Sequence, residues 1–222
     1  MKTKFLHIAT ALLFVGFTSS CSDFLDRYPL DELSDSSFWK TENDAMMAVT
    51  DIYGCLPTWD QDEDINSDNA VHGIKWAAGN ISKGVYDPMD QSWAGSYTPI
   101  RQCNLVLEKV KDIEMSDESR KKIEGQAYFF RAFVYFNLIR SFGDVPYIDK
   151  PLNLTDVEDI TRTPREEVYA KVMADFDKAI EYLPEEWDAA NTPRVTKGAA
   201  LATKARAALY YNNWQVAADA SK

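Results

Sequence analysis

SDESRKKIEGQAYFFRAFVYFNLIRSFGDVP, residues 116–146, reads as one long helix with a marked start and a marked stop. Ser116 is an N-cap residue, and Asp117 and Glu118 place negative charge at the positive end of the helix dipole. From Tyr128 onward the stretch is apolar nearly all round: Phe129, Phe130, Phe133, Val134, Tyr135, Phe136, Leu138 and Ile139 leave no wide polar stripe. A helix of that kind is central and buried. Gly143 halts it, because glycine accepts the positive φ that ends helices, and Pro146 prevents its resumption. Arg131 lies inside this apolar stretch, so it needs a carboxylate or a set of carbonyls if it is buried.

Working outward, the period stays near 3.6. Thr41 and Asp44 form a capping-box-like start, followed at helical spacing by Ala45, Val49, Ile52, Tyr53 and Leu56, with Pro57 at the end. Ile100, Cys103, Asn104, Leu107 and Val110 share one face of a second helix, and Asn104 is placed to cap or bridge backbone between helices. Downstream, Thr163-Pro164-Arg165-Glu166 reads as a capping box with proline at the first helical position. That helix carries Tyr169, Val172, Phe176, Ile180 and Leu183 and ends at Pro184. Thr196 opens another, rich in Ala199, Ala200, Ala202, Ala205 and Ala208. Asn212-Asn213 breaks it and Trp214 begins the last. No stretch alternates as a strand does. The expected fold is all-α: an array of helical hairpins resembling tetratricopeptide repeats, with close approach at the alanines.

The N-terminus is different in kind. Lys2 and Lys4 precede an apolar run from Phe5 to Phe17, and Thr18-Ser19-Ser20 lead to Cys21. That is the pattern of an export signal. The run, about 20 Å as helix, is too short for a hydrocarbon core of about 30 Å. A cysteine at the cut point implies a bacterial lipoprotein signal over residues 1–20, with Cys21 as the lipidated residue and 21–40 as a stalk. The helical body is 41–222. It ends within a helix that has no closing partner, which suggests the N-terminal portion of a longer protein.

Charge excludes one class of partner. Without residues 1–20, which hold two lysines and no acid, 22 basic side chains face 35 acidic ones, a net −13. Such a body repels phosphates and anionic surfaces, so no nucleic acid partner is expected, and membrane contact runs through the lipid alone. One histidine, His72, remains after the signal, too few for a histidine-based triad or metal site. Cys55 and Cys103 each fall on an apolar helix stripe and read as free thiols. No cofactor is implied.

Residues 57–96 break the helical pattern and form a long irregular loop region after the first helix, with Gly73, Gly79, Gly84, Pro88 and Gly95. Long loops inside compact domains are usually functional. This one carries Trp59, Trp76 and Tyr86 among Asn66, Asp68, Asn69, Asn80 and Gln91. Aromatic rings beside amides and acids suit sugars, which present flat C–H faces rimmed with hydroxyls. Trp59, Trp76, Asn80 and Tyr86 are therefore the candidate ligand-binding residues. Trp93, with Tyr97 and Ile100, fits the leading face of the second helix and is read as core. The run Asp60 to Asn66 fails as a calcium loop, since Ile65 and Val71 stand where glycine and the bidentate glutamate belong. It is a solvated acidic loop.

Taken together, several pieces resemble the SusD/RagB family of surface lipoproteins. They are Cys21-Ser-Asp-Phe-Leu-Asp26, Phe38-Trp39, Arg101-Gln-Cys-Asn104, Ala127-Tyr-Phe-Phe-Arg131-Ala132, Phe142-Gly-Asp-Val-Pro146, Glu167-Val-Tyr169 and Thr196-Lys-Gly-Ala-Ala200. Gln126 and Tyr128 stand where the family more often has Glu and Arg. The resemblance implies a non-catalytic protein, lipid-anchored at the outer membrane and facing the cell exterior. Its ligand would be an oligosaccharide, passed to a TonB-dependent outer-membrane transporter of the SusC type. Two other readings stay open: a lipid-anchored glycoside hydrolase, and a peptide-capturing member of the same family.

Overall fold

The computed structural model describes residues 38–56 and 93–222. The chain falls into two compact units, Met1–Phe38 and Trp39–Lys222, and the helical array belongs to the second. The described residues of that unit form six α-helices: α1 Glu42–Ile52, α2 Trp93–Lys109, α3 Asp117–Phe142, α4 Arg165–Tyr182, α5 Lys197–Tyr210 and α6 Trp214–Ala220. Short 3₁₀ turns follow α1 and α2. Among the described residues there is no strand, only an isolated antiparallel bridge between Val145 and Thr163.

α3 is the axis. Twenty-six residues long, it packs most extensively against α4 and then α2, while α1 lies on α2 and α3, and α5 on α4 and α6. Phe130, Tyr135, Phe136 and Leu138 are fully buried on it. Phe130 is clasped edge-on by Tyr53 at 4.5 Å and Phe129 at 5.3 Å between centroids. Burying an aromatic side chain of this size contributes several kcal/mol, so α3 anchors the array. Gly125 marks a close approach to the end of α4: a Cβ there would stand 3.0 Å from Tyr182 Cβ and 3.2 Å from the Leu183 amide nitrogen.

The caps expected from the sequence form, with one exception. Thr41 and Asp44 form a reciprocal capping box, Ser116 accepts from the Ser119 amide, and Thr196 accepts from the Ala199 amide. Gly143 has φ 71°, the positive value at the helix exit expected of it. The exception is Thr163, which is not a cap. Its backbone is paired with Val145 in both directions, at 3.2 and 3.0 Å, and the N-cap of α4 is Pro164. A carboxylate from the preceding turn replaces the threonine: Asp144 Oδ1 accepts from the Arg165 amide at 3.0 Å.

A second correction concerns the start of α2. The sequence pattern predicts a loop region reaching residue 96, whereas Trp93–Ser96 are helical and Pro99 sits inside the helix. Trp93 explains the extension. Its ring meets Phe142 edge-on at 4.8 Å, with the Arg162 guanidinium over it at 5.0 Å, so the tryptophan fastens the first turn of α2 to the end of α3. Trp93 is thus packed against the core, as its spacing predicts.

Candidate functional site

The residues expected to bind ligand, Trp59, Trp76, Asn80 and Tyr86, lie outside the described residues, as does Cys21. Two of the polar places described around α3 matter here, one closed and one open.

The closed place is the contact of α2, α3 and α4. Arg131 donates Nε to Asp175 Oδ2 and Nη2 to Asp175 Oδ1, both at 2.7 Å, a fork on a carboxylate. Its Nη1 reaches Asn104 Oδ1 at 2.8 Å and the Asp149 carbonyl at 3.5 Å. Asn104 passes the tie onward, its amide donating to the Ile148 carbonyl at 2.9 Å. Tyr135 closes the same turn, with its hydroxyl accepting from the Ile148 amide at 2.7 Å and donating to the Ile148 carbonyl at 3.1 Å. Burial pushes the Asp175 carboxyl above its usual range, and the Arg131 guanidinium pulls it back. Burial likewise works against the charge on Arg131, and the Asp175 carboxylate outweighs it. The cluster meets the need for partners that Arg131 carries in its sequence context. Asn104 bridges backbone, as its helix position suggests. Every strong donor in the cluster is engaged by protein, so it orders the chain after α3 and holds nothing else.

The open place is a groove on the other side of α3. One cleft of about 410 Å³ lies between the end of α1, the first half of α2 and α3. Gly54, Cys55 and Gly95 flank it, Phe133 forms an apolar wall, and the amides of Gln102 and Asn137 face in. Gln102 donates to Asp51 at the rim. A second cleft of about 380 Å³ continues along α3 toward α5 and shares Cys55, Phe133 and Asn137 with the first. Burial pushes the Cys55 thiol up to about 11, so it is protonated at neutral pH and no nucleophile. Cys55 and Cys103 are both free thiols, in keeping with their helix stripes. Among the described residues no group of His, Cys, Asp or Glu could hold a metal ion. Nor is any described helix long and apolar enough to cross a membrane.

Aromatic walls with inward amides are the elements of a saccharide site, although these residues carry no motif. The sequence holds one local signal, at Asn137. It is an amide set in the apolar run Tyr135-Phe136-Asn137-Leu138-Ile139, where a side chain without a reason to be polar would be apolar.

Comparison with known proteins agrees with this architecture. A family profile described as starch-binding and associating with the outer membrane matches residues 23–209. A SusD-like protein of Formosa agariphila is 30% identical over 218 residues, which cover 91% of this chain and 42% of that protein. A SusD-like protein of Bacteroides ovatus is 26% identical over 227 residues, covering 96% of this chain and 40% of its own length. Among solved structures, a SusD-like protein of Bacteroides fragilis superposes with a TM-score of 0.76 at 28% identity, over 87% of this chain and 40% of that one. A laminarin-binding SusD-like protein superposes at 0.74 with 24% identity, over 82% and 42%, a likeness of fold. This chain thus spans less than half the length of these relatives. On the profile match and the shared helical architecture, the chain belongs to the SusD-like family.

Proposed function

We propose that this chain is the helical framework of a surface lipoprotein that captures an oligosaccharide at the outer membrane and delivers it to a SusC-type TonB-dependent transporter. The observation that carries the reading is the profile match over residues 23–209, whose description joins starch binding to the outer membrane. The laminarin-binding relative of the same fold supports a glycan as ligand. Lipidation at Cys21 would supply the membrane tether, since the apolar run before it is too short to span.

Capture without turnover is the better chemical fit. Asp175 is the buried carboxylate among the described residues, and a bidentate arginine occupies both its oxygens. A general acid for glycoside hydrolysis needs a proton to give and room beside the glycosidic oxygen. Asp175 has neither. The proposed ligand residues are Trp59, Trp76, Asn80 and Tyr86, with rings for sugar faces and an amide for hydroxyls.

Titration calorimetry of the protein with starch and laminarin oligosaccharides, followed by chromatography of the mixture, tests the reading. Saturable binding with unchanged saccharides is the expected result, and it should weaken in Trp59→Ala and Trp76→Ala. Cleaved products would make the protein a hydrolase. Binding of a peptide pool with no saccharide binding would make it a peptide-capturing member. Retention of the Cys21→Ala variant in the membrane fraction would overturn the anchor.

A further inference from the structure

The second cleft brings together two arginines without described polar partners. Arg140 on α3 and Arg206 on α5 both line it, and neither has a carboxylate or any hydrogen-bond partner among the described residues. In a chain of net charge −11 acids are plentiful, and other arginines find partners: Arg120 with Asp117, Arg131 with Asp175, Arg165 with Glu166. Arg140 is also held in place. Its guanidinium lies 6.0 Å from the Phe136 ring centroid and 5.8 Å from that of Tyr210, and these two rings meet edge-on at 5.4 Å. Contact with rings engages the face of a guanidinium, whereas its five N–H donors point outward in its plane. The group is therefore oriented while none of its donors is taken by a described residue. Asn137 adds an amide without a hydrogen-bond partner among the described residues. Thr203 does not compete, because its hydroxyl donates to the Ala199 carbonyl at 2.8 Å.

We propose that the cleft between α3 and α5 binds the carboxylate or sulfate group of an acidic saccharide, with Arg140 and Arg206 as its donors. Two guanidiniums on one cleft match an oxyanion with two or three oxygens, and a planar fork grips such a group better than an ammonium does. The saccharide part follows from what stands beside the charge. Tyr210, beside Arg140, is 56% exposed and offers ring surface to a sugar face, and the Asn137 amide in the cleft suits a hydroxyl. This assignment rests on the reading of the protein as a glycan-capturing one and narrows the ligand to an acidic glycan.

Calorimetry on the full chain at low and physiological salt separates the possibilities, using four probes. These are a galacturonate tetramer, its methyl ester, a sulfated galactan tetramer and a poly-glutamate peptide. At least one acidic saccharide should bind, the ester should bind at least tenfold more weakly than the free acid, and Arg140→Gln and Arg206→Gln should each weaken the acidic probe at least tenfold. Arg140→Lys, which keeps the charge and loses the fork, should fall between. Circular dichroism of each variant checks that it is folded, and Arg206 is exposed enough for its variant to serve alone. Measurable and equal binding of acid and ester, or unchanged binding of the acidic probe in both glutamine variants, overturns the site. Arginine-dependent binding of poly-glutamate without any acidic saccharide overturns the saccharide assignment. If starch or laminarin oligosaccharides bind while neither acidic probe does, the inference falls and glycan capture stands. If no saccharide of either kind binds, both fall.

Discussion

Arg131 and Arg140 stand on the same helix, nine positions apart. At 3.6 residues per turn that is about two and a half turns, which puts them on opposite faces. Each has an asparagine close by, Asn104 for the first and Asn137 for the second. On one face Arg131 has Asp175, Asn104 and a carbonyl, with little solvent. On the other, Arg140 has two rings and no hydrogen bond among the described residues. The residue types are nearly the same, and saturation separates their roles. A fully bonded polar cluster fixes a fold, because any ligand would have to displace bonds already made. An oriented but unbonded one leaves its hydrogen-bonding capacity for something else.

The comparison breaks most decisively at Arg131. Arg131→Met leaves the Asp175 carboxylate buried and unpaired, a loss of about 3–5 kcal/mol where a buried pair loses one member. Chemical denaturation should show this loss, and Arg131→Met combined with Asp175→Leu should recover most of it. If the single variant unfolds at the wild-type denaturant concentration, the closed cluster is no part of what holds α2, α3 and α4 together.

The turn beyond α3 gives the next largest effect. Asp144→Ala removes the carboxylate that caps α4 and should cost about 1 kcal/mol, the usual value of a lost N-cap. Thr163→Ala, whose backbone bridge to Val145 survives, should cost much less. The reverse order in thermal melts would restore the threonine as the cap.

That pair of residues also shows where reading the sequence stops. Helix α3, its Ser116 cap, its Gly143 exit and the unmet need of Arg131 are all local facts, visible within one or two turns of chain. Asp175 as the partner of Arg131 is not, because the pairing joins positions 44 residues apart and no period connects them. Thr163-Pro164-Arg165-Glu166 misleads for the same reason. The pattern satisfies a local rule, but the bridge to Val145 decides the path of the chain and brings Asp144 to the helix end. The start of α2 is blurred by Gly95 and Pro99, which weaken a helical pattern until the packing of Trp93 is known. For the open groove the sequence offers Asn137 as a lone polar residue in an apolar run. Arg140 and Arg206 look like any solvated arginines until the structure puts them on one cleft.

Cys55 tests how dry the wall of the groove is. Its thiol keeps its proton to about 11, whereas an unfolded thiol releases it near 8.5–9. A raised folded value contributes stability that is complete below pH 9 and lost as pH rises toward 11. Cys55→Ser removes this titration, so its melting temperature should fall less steeply between pH 9 and 11 than that of wild type, with tyrosines such as Tyr97 contributing alike to both. Parallel slopes would mean that water reaches the thiol and that the wall is wetter than its packing implies.

The smallest effect is the most informative about the open face. Arg206→Gln removes a charge that meets no carboxylate and makes no hydrogen bond among the described residues, so none of the described contacts should miss it. Surface substitutions of that kind lie within about 0.5 kcal/mol of wild type. Arg140→Gln should lose somewhat more, about 0.5–1 kcal/mol, because its guanidinium also rests on the rings of Phe136 and Tyr210. Both measurements belong in low salt, where any repulsion or attraction from the acidic chain is strongest. A loss from Arg206→Gln comparable to that from Arg131→Met would show that the second arginine has a structural partner after all. The contrast between a closed face and an open one would then disappear. A near-zero loss keeps the contrast and leaves two arginines on a cleft that stability alone does not explain.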